Sequence, residues 1–125
     1  MKPLEIENLV REKLAEMFGT KFRKSKLITG YDSGKRPQIH EFDLVSENSE
    51  IIGEIKAGKC SRGNFSLALA DCLYLSKVKA RIKLMAFTDK GLYEYFKDHS
   101  EGLISSDIRP ILVLDLNLKV LAPSN

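Results

Sequence analysis

Ile39-His40-Glu41-Phe42-Asp43-Leu44-Val45 and Ile51-Ile52-Gly53-Glu54-Ile55-Lys56 read as two strands joined across Glu47-Asn48-Ser49-Glu50. Folding them about the Asn48/Ser49 midpoint sets Asp43 across from Glu54 and Glu41 across from Lys56. Cross-strand neighbours share one face of a sheet, and residues two apart on a strand do too. Two carboxylates and an ammonium therefore gather at one point of an otherwise apolar hairpin. The group is costly to bury and suits a divalent cation held beside a phosphate. Ile39, Val45 and Ile52 are expected on the same face. The other face carries Phe42, Leu44, Ile51, Gly53 and Ile55, so both strands read as interior strands covered on two sides. His40 has the opposite parity to Asp43 and is expected on the far face, as a satisfied core or interface histidine.

Outward from the hairpin, the chain alternates between two periods. Pro3 stands where helices begin, and helical spacing runs to Phe18 with Gly19 as its stop. Phe22 to Gly30 reads as a first strand near a sheet edge, and residues 31–37 as a turn-rich loop. Residues 58–64 form a second loop. Asn64 or Ser66 is the expected cap of a helix to about Lys77, its stripe made by Leu67, Ala70, Leu73 and Tyr74. Ile82 to Phe87 is a short buried strand. Thr88 or Asp89 caps a third helix, residues 100–110 are looser, and Ile111–Leu116 is a last strand. Residues 122–125 are expected to fray. The order predicts an α/β fold, a mixed sheet with helices on both faces.

Composition bounds the rest. A chain of 125 residues with 43% hydrophobic and 30% charged residues is expected to form one domain, residues 1–125, with an ordinary core. Twenty Lys+Arg against seventeen Asp+Glu give a formal charge of +3, compatible with a nucleic-acid partner without requiring one. Two cysteines, Cys60 and Cys72, are too few for a disulfide scaffold and have no metal-ligand spacing. The charged start lacks the apolar run of a signal peptide, and no stretch has the length of a membrane span. The expectation is a cytoplasmic protein with no membrane partner.

The first helix adds a carboxylate. At ~100° per residue, Ile6, Val10, Leu14, Met17 and Phe18 form one apolar stripe, with Glu5, Glu12 and Glu16 opposite. Glu7 falls inside the stripe and is expected to face the sheet, where a metal ion or Lys56 would partner it. A hard cation such as Mg²⁺ takes oxygen ligands, here Asp43, Glu54 and the backbone carbonyl of Ile55. Lys56 is placed to hold an attacking water or to neutralise charge growing on phosphorus.

An acid near the start of helix one, Asp43 in the second strand and Glu54-x-Lys56 in the third together resemble the PD-(D/E)XK nuclease superfamily. The resemblance runs from Leu4 to Phe87, and in size and acid spacing it is nearest to Holliday-junction resolvases. It implies the restriction-endonuclease-like αβββαβ core and Mg²⁺-dependent hydrolysis of phosphodiester bonds, with Mn²⁺ as substitute. It also implies that Asp43 and Glu54 are metal ligands, that Lys56 is the catalytic lysine, and that Glu7 contacts the metal or its waters. Phe42 stands where the superfamily's proline would be. Where many of its members carry a glutamine in the second helix, the nearest residues here are Asn64, Ser66 and Asp71.

The expected substrate is DNA, with RNA left open. Lys59 and Arg62, following the third strand, are candidate phosphate contacts, with Lys35 and Arg36 weaker ones. Cutting two strands needs two sites, so a homodimer or a subunit of a larger nuclease assembly is expected. The alternative is an inactive nucleic-acid-binding or assembly module of the same fold, its trio an internal salt-bridge cluster.

Overall fold

The computed structural model describes residues 1–114, ordered as α1 (Pro3–Phe18), β1 (Phe22–Tyr31), β2 (Pro37–Ser46), β3 (Ile51–Lys56), α2 (Arg62–Leu75), β4 (Ile82–Phe87), α3 (Lys90–Ser100) and β5 (Ile108–Leu112). The end of the last expected strand, residues 115–116, and the tail at 122–125 lie outside the described residues. The five strands form one mixed sheet in the order β1-β2-β3-β4-β5. β1, β2 and β3 are antiparallel neighbours, whereas β3, β4 and β5 are parallel.

Two crossovers march the same way across the sheet, so right-handed connections carry both helices to one face. There Ala68, Cys72 and Leu75 of α2 and Leu92 and Phe96 of α3 pack on Phe42, Val45, Ile52, Met85 and Phe87. On the other face Val10 and Leu14 of α1 cover Leu44, Ile51, Ile55, Leu84 and Ala86. Helices thus lie on both faces, as expected.

Local signals set the element ends. Pro3 occupies the first turn of α1, and Gly19 closes it at φ 68°, with its N–H on the Ala15 carbonyl at 2.9 Å. The Asn48 side chain builds the hairpin turn. Its Oδ1 accepts from the Glu50 N–H at 3.1 Å and the Ser46 hydroxyl at 2.9 Å, while that hydroxyl accepts from the Ile51 N–H at 3.0 Å. The result is Leu44 opposite Gly53 and Val45 opposite Ile52, the register expected from the sequence. Asp89 caps α3, accepting from the Leu92 N–H at 2.8 Å.

Four expectations are corrected. α2 starts at Arg62, because the Ser61 hydroxyl accepts from the Asn64 N–H at 3.0 Å and caps the helix earlier than Asn64 or Ser66 would. Its buried face is Ala68, Cys72 and Leu75, while Leu67 and Leu73 are exposed. Apolar residues ring this helix almost completely, so spacing could not select the face. Met17 is exposed rather than part of the α1 stripe. β5 begins at Ile108 and takes in Pro110, which an edge strand tolerates because its missing N–H breaks no interior ladder.

β4 leaves no room for a side chain at Gly53: a Cβ there would stand 2.5 Å from the Leu84 carbonyl oxygen and 3.0 Å from Leu84 Cβ. Gly53→Ala is therefore expected to lower the unfolding free energy by about 1–3 kcal/mol, read from urea denaturation. An unchanged urea midpoint would contradict this tight approach.

Candidate functional site

The site is built at a fork in the sheet. β1 and β2 shift register between Arg23/Ser25, because Arg23 pairs with Val45 while Ser25 pairs with Phe42. One residue, Lys24, faces two, Asp43 and Leu44: a β-bulge on β2. The extra residue reverses the alternation. Phe42 joins Val45 and Ile52 against α2 and α3, instead of sharing the Leu44 face as expected. Ile39, expected beside the trio, is exposed.

Past the Leu44/Gly53 pair, side chains replace the backbone ladder between β2 and β3. The Asp43 N–H donates to Glu54 Oε1 at 3.0 Å, and the Ile55 N–H donates to Asp43 Oδ2 at 3.0 Å. Each carboxylate caps the strand of the other. Asp43 and Glu54 thus meet as expected, although Glu41 and Lys56 do not. Glu41 pairs with Lys26 on β1, and the Lys56 ammonium is hydrogen-bonded to the Asp71 carboxylate on α2. The ladder has ended before it reaches Glu41 and Lys56, so α2 supplies the lysine's partner. Its charge still acts on both Asp43 and Glu54.

Burial and proximity set the protonation of the two acids. Glu54 is only 4% exposed. Desolvation, then the charge of Asp43, pushes its pKa from 4.5 up to about 8, against the opposing Asp43 N–H bond. Desolvation also raises Asp43, partly offset by the Ile55 N–H and aggravated by the charge of Glu7. Burial, with Asp71 and Glu54 nearby, holds the Cys72 thiol at about 12, which leaves it an inert core side chain.

Four residues complete the site that the sequence did not assign to it. Arg11 of α1 donates from Nε to the Asp43 carbonyl at 3.0 Å, satisfying a backbone oxygen at the bulge. Its Nη2 reaches Glu7 Oε1 at 3.1 Å, and Lys24 Nζ lies 3.4 Å from the same oxygen. Glu7 does turn toward the sheet, but it is spent on these two cations. The third, His40, lies on the Glu54 side, not away from it, with Nε2 at 3.1 Å from Glu54 Oε2. The bulge is the reason: it returns His40 to the face that strict alternation denies it. The fourth, Asp71, which the sequence offered only beside Asn64 and Ser66 near the helix-two glutamine position, holds Lys56.

Among the described residues, no three His, Cys, Asp or Glu side chains come together as a metal-binding group. The expected Glu7–Asp43–Glu54 cluster is not assembled. What the chain offers a cation is the Asp43/Glu54 pair. Two desolvated carboxylates that repel each other match the one or two protein carboxylates Mg²⁺ ordinarily takes. A cleft of about 210 Å³ opens at the end of β3, lined by Ile55, Lys56, Gly58, Asn64 and Leu67 among others and by neither acid. Lys59 and Arg62 are exposed on the segment that flanks it, where the Lys59 carbonyl accepts from Asn64 Nδ2 at 2.8 Å. Lys35 and Arg36 are remote: their loop precedes Pro37, six residues or roughly 20 Å of strand from Asp43, and Arg36 pairs with Asp32 at 3.0 Å. Among the described residues, no helix is long and apolar enough to cross a membrane.

Comparison with protein-family models, curated proteins and solved structures returns no match for this chain.

Two outcomes follow from this geometry. Arg11→Met should cost about 1.5–3 kcal/mol in urea denaturation, since it strips a carbonyl and a carboxylate of a charged donor; a loss under about 0.5 kcal/mol would contradict that role. Glu54 ordinarily ionises at 4.5 but holds its proton to about 8 in the fold. The folded chain therefore binds more protons than the unfolded one across that window, and stability falls as pH rises through it. In chelator, the melting temperature of the native chain should drop between about pH 4.5 and pH 8, and Glu54→Gln should flatten that drop. Parallel pH profiles for the two proteins would contradict the shift.

Proposed function

We propose that the chain is a divalent-cation-dependent nuclease of the PD-(D/E)XK type, acting on DNA. The observation that carries this reading is the crossed pair of hydrogen bonds that holds Asp43 and Glu54 together despite their repulsion. A pair of buried acids kept in that state is destabilising by itself and becomes favourable with a cation. The order from α1 through β4, helix, three strands, helix, strand, supports the restriction-endonuclease-like core that the resemblance implies.

In this reading Asp43 and Glu54 hold Mg²⁺ or Mn²⁺, with the Ile55 carbonyl as a third oxygen. Glu7 acts at one remove, through Arg11 and Lys24. The bound cation supplies Lewis-acid polarisation of the phosphate and lowers the pKa of a water. Lys56 leaves Asp71 for the substrate, where its ammonium orients the water or neutralises charge developing at phosphorus. Lys59 and Arg62 meet the flanking phosphates. A second copy of the chain, or a larger assembly, brings the second site that a double-strand cut requires.

A second reading, a binding module without hydrolysis, draws on the Lys56–Asp71 pair, which occupies the lysine in the absence of substrate. The two separate in a cleavage panel of plasmid, single-stranded DNA, four-way junction and RNA with Mg²⁺ or Mn²⁺. The nuclease reading expects cutting of at least one DNA, abolished by Asp43→Ala and slowed on the order of 10²–10³-fold by Lys56→Ala. DNA that is retarded on gels yet left intact by every cation would establish the module instead.

A further inference from the structure

Glu54 is gripped on both oxygens. Its Oε1 takes the Asp43 N–H at 3.0 Å and its Oε2 lies 3.1 Å from His40 Nε2. The imidazole is itself immobilised. The Tyr74 ring stacks on it with centroids 3.9 Å apart and planes 8° from parallel. Phe42 meets it edge-on at 4.6 Å and 77°. Tyr74 comes from α2 and Phe42 from β2, so two separate elements fix one ring. Among the described residues His40, Asp43 and Glu54 do not form a metal-binding group of three, and His40 Nε2 is engaged with Glu54 Oε2 itself.

We infer that His40 is a positioning residue of the cation site: clamped between Tyr74 and Phe42, it hydrogen-bonds through Nε2 to Glu54 Oε2, as the donor once that carboxyl is ionised, and fixes the direction in which the carboxylate presents its remaining lone pairs. The inference rests on the cation reading of Asp43 and Glu54. Its physical basis is general. A ligating carboxylate that is free to rotate must be ordered when the ion arrives, whereas one held by an outer hydrogen bond is already ordered. The β-bulge at Asp43–Leu44 has a purpose in this arrangement. It reverses the alternation of β2 where the ladder to β3 ends, so that His40, three residues before Asp43, turns to Glu54.

The test is Mn²⁺ affinity by titration calorimetry on the folded chain, in native, His40→Phe, His40→Gln and Tyr74→Leu forms, each checked for an unchanged melting temperature. His40→Phe keeps an aromatic ring against Tyr74 but loses the donor, and its affinity should fall about 10- to 100-fold. His40→Gln restores an N–H donor at the end of a side chain of similar reach and should recover most of that loss. Tyr74→Leu leaves both hydrogen-bonding groups and loosens the ring, giving an intermediate fall. If His40→Phe does not fold, the order native, His40→Gln, Tyr74→Leu remains as the readout. Native-like affinity in His40→Phe, or in Tyr74→Leu where His40→Phe is unfolded, overturns the role of His40 and leaves the cation site standing. A native chain that binds no Mn²⁺ overturns both.

Discussion

Asp43 and Glu54 each give an oxygen to the backbone of the other's strand, and the rest of the site follows from that exchange. The ladder between β2 and β3 stops where the exchange begins, so the sheet opens into a fork at the point where its charges lie. Opening a sheet interior normally strands N–H groups without acceptors. Here two carboxylates serve as the acceptors, and the fork needs no water to satisfy Asp43 N–H and Ile55 N–H. The cost falls on the acids, which are desolvated and close to each other, and burial raises both pKa values.

The neighbouring elements are arranged about this tension. α1 contributes Arg11, which ties the bulge carbonyl to the helix and holds Glu7 with Lys24. α2 contributes Asp71 for Lys56 and Tyr74 for His40. The two helices approach from opposite faces of the sheet, so the acids are braced from both sides. Gly53 allows β4 to close in beside them. Half-buried charges are thus answered directly, Glu7 by two cations and Lys56 by one anion, while Asp43 and Glu54 are held by hydrogen bonds with two backbone N–H groups and His40.

Much of this was legible in the sequence. Asn48 and its neighbours specified the turn, and with it the register that brings Asp43 to Glu54. Pro3 and Gly19 bounded α1, Asp89 bounded α3, and the short apolar run of β4 marked a buried strand. What escaped was whatever depended on one inserted residue. A bulge leaves no compositional mark, and strict alternation past Asp43 sent His40 and Phe42 to the wrong faces. The Arg11 contact crosses from helix to bulge and is set by packing, so no spacing rule finds it. The α2 face was hidden by apolar residues on nearly all its sides. Asp71 was visible only as an acid near a notable position, because the preference of Lys56 for α2 over Glu41 depends on where the ladder ends.

The most direct measurement is Mn²⁺ titration calorimetry at pH 7 in two buffers of different ionisation heat. With Glu54 holding its proton to about pH 8, entry of a cation must displace that proton, and binding and proton release are one event. The expected result is binding at one site with close to one proton released per ion, and neither binding nor release in Asp43→Asn. Binding that ignores the Asp43 substitution, or no binding at all, would contradict the account.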